Sequence, residues 1–215
     1  DFSGQKYDEN SLLQTDGKAK FMRLYNEYLH WGGLPESVGL PVKRDYVSST
    51  FQKVYLGDIC ACNGISNPNL LRLMIKKIAE GVKQPLSYNR ISRILSSIGG
   101  KISVPTVGNY VQYCQDAWLL LRMHNIASPF VEKETISKYY FTDNGILHLF
   151  LIDADTSLLE NLVAVTLLRK YGNDPDNERV FYYNSGVEVD FFVPDEGLAI
   201  QVCYNLSHSD GTYER

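Results

Sequence analysis

"EVDFFVPDEGLAIQVCYN", residues 188–205, is the stretch from which the fold can be read. Strand alternation places Glu188, Asp190 and Phe192 on one face and Val187, Val189, Phe191 and Val193 on the other. Residues from Pro194 to Gly197 form a turn. A second strand, "LAIQVCY", then puts Gln201 and Cys203 on the face opposite Ile200 and Val202. Asp190 and the Gln201/Cys203 pair are therefore expected to meet across a sheet. Upstream, "RVFYYN" (179–184) supplies a third strand, with Asn184, Ser185 and Gly186 as its connecting turn.

Before these strands, "NGILHLFLI" (144–152) and "TSLLENLVAVTLLRKYG" (156–172) are helical and apolar almost all round, which implies helices buried against something large, such as a sheet. Glu160 sits within this apolar company. A carboxylate there needs a partner or a role, because burying it unpaired is costly. A helix followed by an antiparallel meander gives a small α/β or α+β domain over residues 136–215.

The first half has a different character. Lys18 to His30 reads as a helix with Phe21, Leu24, Tyr25 and Tyr28 on one side. It stops at "HWGGLPESVG", where Gly32 and Gly33 can adopt a left-handed conformation, Pro35 prevents resumption, and Trp31 and Leu34 pack beneath the turn. A second helix is predicted from Val42 to about Ile59, with Phe51, Val54 and Tyr55 as its stripe. Three helical patterns follow: "NLLRLMIKKIAEGV" (69–82), "SYNRISRILSSIGG" (87–100) capped at Ser87, and a run from Pro105 through Trp118 to Leu121. Extended segments "LLRMHNIAS" and "KYYFTD" come next. The expectation is a helical linker over 1–66 and a winged helix-turn-helix over 67–135.

The chain has 215 residues, 44% hydrophobic, enough for a substantial core. A formal net charge of -4 gives no global attraction to nucleic acid or anionic membrane, so any such binding requires a local patch. Cys60, Cys62, Cys114 and Cys203 lack metal-site spacing and read as reduced thiols. No apolar run reaches transmembrane length, and a cytoplasmic location without membrane contact is expected. The polar opening "DFSGQKYDEN" and the close at "GTYER" suggest a fragment of a longer polypeptide.

Glu160, Asp190 and the strand "IQVCY" resemble, in order, the helix Glu, the Asp and the E-x-K strand of PD-(D/E)XK, or restriction-endonuclease-like, nucleases. Together with "YLHWGGLPE", "NYVQYCQDAWLL", "YYFTDNGI", "LLENLV" and "EVDFFV", the chain resembles the C-terminal region of prokaryotic AAA-type ATPases that carry a domain of unknown function (the 4143 series). That resemblance implies an α+β fold with a degenerate nuclease-like domain at the C-terminal end. It implies an ATPase domain upstream as an internal partner, with ATP and magnesium held there. No G-x-x-x-x-G-K-[ST] occurs in this chain, which itself needs no cofactor.

Gln201 and Cys203 stand where that pattern has a Glu and a Lys. Magnesium wants anionic oxygen, and the phosphate transition state wants a cation, so the site is expected to be inactive. On this reading the catalytic residues are none and the metal residues are none; Glu160 and Asp190 are the remaining metal candidates, and a lysine from another element, such as Lys170, could restore the chemistry. The expected nucleic-acid contacts are Lys76, Lys77, Arg90, Arg93, Lys101 and Asn109, because the stretch from Ile102 to Leu121 holds no Lys or Arg. The leading expectation is a non-catalytic effector region binding DNA or a protein partner, with homo-oligomerisation open. The alternatives are a metal-dependent DNA nuclease and a DNA-binding regulator.

Overall fold

The computed structural model describes residues 15–152, 154–174 and 177–204. The terminal stretches 1–10 and 211–215 lie outside the described residues, as does Asn205. The fold is α+β.

Helix α1 (Thr15–Trp31) starts with its apolar side in contact with solvent and ends buried: Phe21 is exposed whereas Leu29 lies in the core. Helix α2 (Lys43–Gln52) continues without a break into a π-helical stretch, Lys53–Ala61. The sequence explains the change of pitch. Val47, Phe51, Tyr55 and Ile59 are all buried and recur every fourth residue, a spacing that drifts by roughly 40° per step on an α-helix. Wider π turns reverse the drift and keep the stripe on one face.

Three helices follow. Helix α3 (Pro68–Glu80) is capped by Asn67, whose side chain accepts from the Leu70 N–H, and buries Leu70, Leu71, Met74, Ile75 and Ile78. Helix α4 (Tyr88–Ile98) is capped by Ser87, as the sequence predicts. Helix α5 (Val104–Asp116) is capped by Ser103 and ends earlier than expected. Trp118, expected on its buried face, instead has φ +53° and is 76% exposed, while Leu119 and Leu120 take the core positions. The residue in the left-handed turn redirects the chain into strand β2, so the helical spacing cannot continue through it.

Strand β1 (Leu86–Ser87), β2 (Leu120–Met123) and β3 (Ile136–Phe141) form an antiparallel sheet in the order β1-β3-β2. A short helix α6 (Phe130–Thr135), unanticipated from sequence, precedes β3. Helix α7 (Asn144–His148) is only five residues long, much shorter than the apolar run suggested. Helix α8 (Asp155–Tyr171) packs on β3 and buries Leu158, Glu160, Asn161, Ala164 and Leu168. After the small ribbon β4 (Asn173–Asp174) and β5 (Asn177–Glu178), strands β6 (Phe181–Asn184), β7 (Glu188–Val193) and β8 (Leu198–Ile200) form the predicted antiparallel meander. Gly186 and Gly197, at φ +78° and +59°, close its two turns.

The two three-stranded sheets meet at one parallel bridge between Asn125 and Tyr182. The Tyr182 N–H donates to the His124 carbonyl and the Ile126 N–H to the Tyr182 carbonyl, both at 3.0 Å. The Asn125 side chain holds both backbone groups of Asn184, donating to its carbonyl and accepting from its N–H. Segments 1–66, 67–135 and 136–215 all contribute to one continuous apolar core.

A polar seam inside that core accounts for three of the motifs. The Asn161 amide donates to the Phe141 carbonyl and to Asn144 Oδ1, each at 2.8 Å, and accepts from the Phe141 N–H at 2.7 Å. The Asn144 amide donates to the carbonyls of Leu29 (2.7 Å) and Leu158 (2.9 Å). Asp143 accepts from the N–H groups of Gly33 and Gly145, both at 2.8 Å. A Cβ on Gly32 would fall 2.1 Å from Asp143 Oδ1, and one on Gly145 would fall 2.4 Å from the Trp31 carbonyl oxygen. "HWGG", "TDNG" and "LLEN" are thus three sides of a single joint.

Two outcomes follow for stability. Asn161→Leu keeps volume but orphans the Phe141 N–H and Asn144 Oδ1 in the core, at about 1–3 kcal/mol for each buried group left unpaired. Gly32→Ala is expected to cost at least about 1–3 kcal/mol, since the left-handed backbone and the Asp143 carboxylate both resist a side chain. Urea unfolding of the two variants reads both losses as lowered midpoints, and an unchanged midpoint would refute the role of the seam.

Candidate functional site

Strand β7 presents Asp190 on a buried position and Glu188 at its exposed start, sharing a face as the alternation required. Helix α8 brings Glu160 over that face with 3% of its surface exposed. At the centre stands a residue that the motif pattern does not mark. Lys138, on β3, is fully buried, with its ammonium 3.3 Å from Glu188, 3.5 Å from Asp190 and 3.6 Å from Glu160. Its amine also lies 5.4 Å from the centre of the Tyr182 ring. A signal was available: in "ISKYYF" a lysine stands at an alternate position to Tyr140 on a strand rich in apolar and aromatic residues.

The remaining oxygens are largely accounted for. Glu160 Oε1 accepts from the Tyr140 hydroxyl at 3.0 Å, and Asp190 Oδ2 accepts from the Val202 N–H at 2.9 Å. Burial pushes the Glu160 carboxyl above its ordinary range, with Lys138 opposing and Asp190 reinforcing the rise. Burial, and then the Glu160 charge, hold the Tyr140 hydroxyl well above its usual value. Tyr182 is pushed up to about 12, first by burial and then by Glu188 and Glu132.

Gln201 and Cys203 are not gathered in. Strand β8 ends at Ile200, and both side chains are exposed. It is the main chain at Val202, and not a side chain, that meets Asp190. This corrects the expected meeting of Asp190 with Gln201 and Cys203, since β8 pairs with β7 only through Leu198–Ile200. Lys170 is also remote from the cluster: it lies on the exposed end of α8, over the Tyr171 ring.

A divalent ion does not fit this donor set. Asp190 and Glu160 both face an ammonium that has no exposed surface, and no group of three His, Cys, Asp or Glu residues among those described is arranged to hold a metal. The cluster is an ion network whose single cation is covalently attached to the chain.

The residues expected to contact nucleic acid lie on several elements. Arg90 and Arg93 lie exposed on α4, Lys101 on the following loop and Asn109 on α5. Lys77 on α3 pairs with Glu80 at 3.4 Å, and Lys76 lines a separate cleft. No disulfide joins any of the four cysteines; Cys60 and Cys114 are buried, and burial raises both thiols. Among the described residues no helix is long and apolar enough to cross a membrane.

A family model described as a domain of unknown function, DUF8612, matches residues 22–158. The chain belongs to the DUF8612 family. The matched stretch contains the Leu29–Gly33 and Asp143–Gly145 sides of the joint and Lys138, and stops just short of Glu160. An uncharacterized protein, MJ1544, of Methanocaldococcus jannaschii is 27% identical over 213 residues, covering 96% of this chain and 47% of its own. An uncharacterized protein of Haemophilus influenzae is 28% identical over 193 residues, covering 86% of this chain and 47% of its own. The chain therefore spans about half the length of these relatives. No solved structure matches it.

Lys138→Met removes the cation from a buried carboxylate cluster and is expected to lower the unfolding free energy by about 3–5 kcal/mol in guanidinium titrations. Glu160 gives a pH signature. With its folded-state pKa raised, its favourable contribution is complete below its ordinary value of 4.5 and is lost as pH rises through the folded value. The stability of the parent relative to Glu160→Gln should accordingly decline as pH rises above the ordinary glutamate value of 4.5. A difference that grows with pH would contradict the assignment.

Proposed function

We propose that this chain is a non-catalytic effector region of a larger AAA-type ATPase. It comprises a helical linker, a winged helix-turn-helix and an inactive PD-(D/E)XK-like domain, and it binds a protein or nucleic-acid partner while the rest of the polypeptide hydrolyses ATP with magnesium. One observation carries the inactivity: the ammonium of Lys138, wholly buried, sits against Asp190 and Glu160, where a nuclease of this type would hold its ion. The chain order α3-β1-α4-α5-β2-α6-β3, with the three strands paired as β1-β3-β2, supports the winged-helix assignment. The relatives' greater length supports a larger parent.

The outer face of α5 favours a protein partner over DNA. Its exposed positions include Ser103, Asn109, Gln112 and Asp116, followed by the exposed Trp118, so it offers amides, an acid and an indole in place of phosphate-binding cations. DNA binding would have to use Arg90 and Arg93 on α4, and a regulator of that kind is the second reading. A nuclease is favoured by one fact only: Lys138 supplies, from β3, a cation beside the carboxylates.

Plasmid nicking in magnesium or manganese separates these readings. No cleavage is expected, and none is expected to appear in Lys138→Ala. Divalent-dependent nicking that disappears in Asp190→Ala would establish the nuclease instead. Retention on duplex DNA, weakened together by salt and by Arg90→Ala with Arg93→Ala, would favour the regulator.

A further inference from the structure

A second concavity, far simpler electrostatically, lies between α2, α3 and the segment 149–152. Its volume is about 650 Å³, within the roughly 300–1,000 Å³ range of small-molecule sites. Helix α2 contributes Arg44, Ser48 and Gln52, spaced four apart so that they share one wall. Helix α3 contributes Asn69, Arg72 and Lys76, which share the facing wall. The floor is apolar, with Phe51 and Phe150 meeting edge to face at 5.1 Å beside Leu73 and Leu149.

The charge on this cleft is one-sided. Arg44, Arg72 and Lys76 are its charged lining residues, and no carboxylate lines it among the described residues. None of the three makes an ion pair with a described residue, although Lys43, Lys77, Lys138, Arg122 and Arg179 all do. In a chain of net charge -4, the described residues of this cleft gather three cations over an aromatic floor. Guanidinium groups match the paired oxygens of a phosphate, and lysine adds a point charge. Ser48, Gln52 and Asn69 supply neutral donors and acceptors suited to the edges of a planar heterocycle.

We propose that this cleft binds a nucleoside phosphate, with Arg44, Arg72 and Lys76 on the phosphate and the base laid on the Phe51, Leu73 and Phe150 floor. The site is separate from the carboxylate cluster and stands whether or not that cluster is inert. It differs from a phosphate-binding loop in using side-chain cations of two helices.

Isothermal titration of the 215-residue chain with AMP and ADP, at low salt and without magnesium, tests it. Saturable binding is expected, weakened by about tenfold or more in Arg44→Glu and in Arg72→Glu, and reduced by added salt. Both arginines are exposed, so thermal melting of these variants should match the parent. Inorganic pyrophosphate should bind at least about tenfold more weakly than ADP, because it leaves the floor uncovered. Arg93→Glu, on exposed α4, should leave binding unchanged. The proposal falls if neither nucleotide binds at millimolar concentration, if pyrophosphate equals ADP, or if Arg93→Glu weakens binding as much as Arg72→Glu.

Discussion

The fold depends on two side-chain amides that have no water to turn to. Asn144 and Asn161 are buried, and between them they bind backbone groups of α1, β3 and α8 as well as each other. A buried amide is tolerable only when its donors and acceptors are met. Every donor of both amides is used here, so the helices and strand can dock in one register and no other. Asp143 extends the constraint to the end of α1, where two glycines leave room for its carboxylate and for the approach of the Trp31 carbonyl. Hydrophobic burial holds these elements together, while the seam decides how they are placed.

Lys138 has a comparable role on the same strand, β3. A lysine with no exposed surface would be prohibitive alone, and two buried carboxylates beside an exposed one would repel one another alone. The ammonium offsets part of that repulsion, lying 3.3 Å from Glu188, 3.5 Å from Asp190 and 3.6 Å from Glu160. Carboxylates gathered on a strand and a helix beside it give the geometry of a hydrolytic centre. An internal ammonium in their midst gives that geometry a structural use, and on the proposed reading this balance is why the chain keeps a nuclease-like arrangement without the chemistry.

Much of the architecture was legible along the chain. Ser87 and the glycine pair delimit α4, Pro194 to Gly197 and Asn184 to Gly186 mark the meander's turns, and period-two alternation correctly divides the faces of β7. Each of these is a local signal, set by backbone conformation or by the nearest few side chains. Trp118, the shortened α7 and the early end of β8 were not legible, because in each case an apolar run continues past the point where the backbone turns away. Apolar content reports burial, not direction.

The amino-acid sequence by itself determined the elements, their caps and turns, the placement of Glu160, Glu188 and Asp190 on faces that can meet, and the absence of charge at Gln201 and Cys203. The tertiary structure alone decided which cation joins those carboxylates, because Lys138 is separated from Asp190 by 52 positions and reaches it only after the two sheets meet at Asn125 and Tyr182. It alone also brought Arg44, Arg72 and Lys76 to the lining of one cleft. Periodicity acts over a few residues, whereas electrostatic compensation acts over a few ångströms, and only folding makes distant residues near.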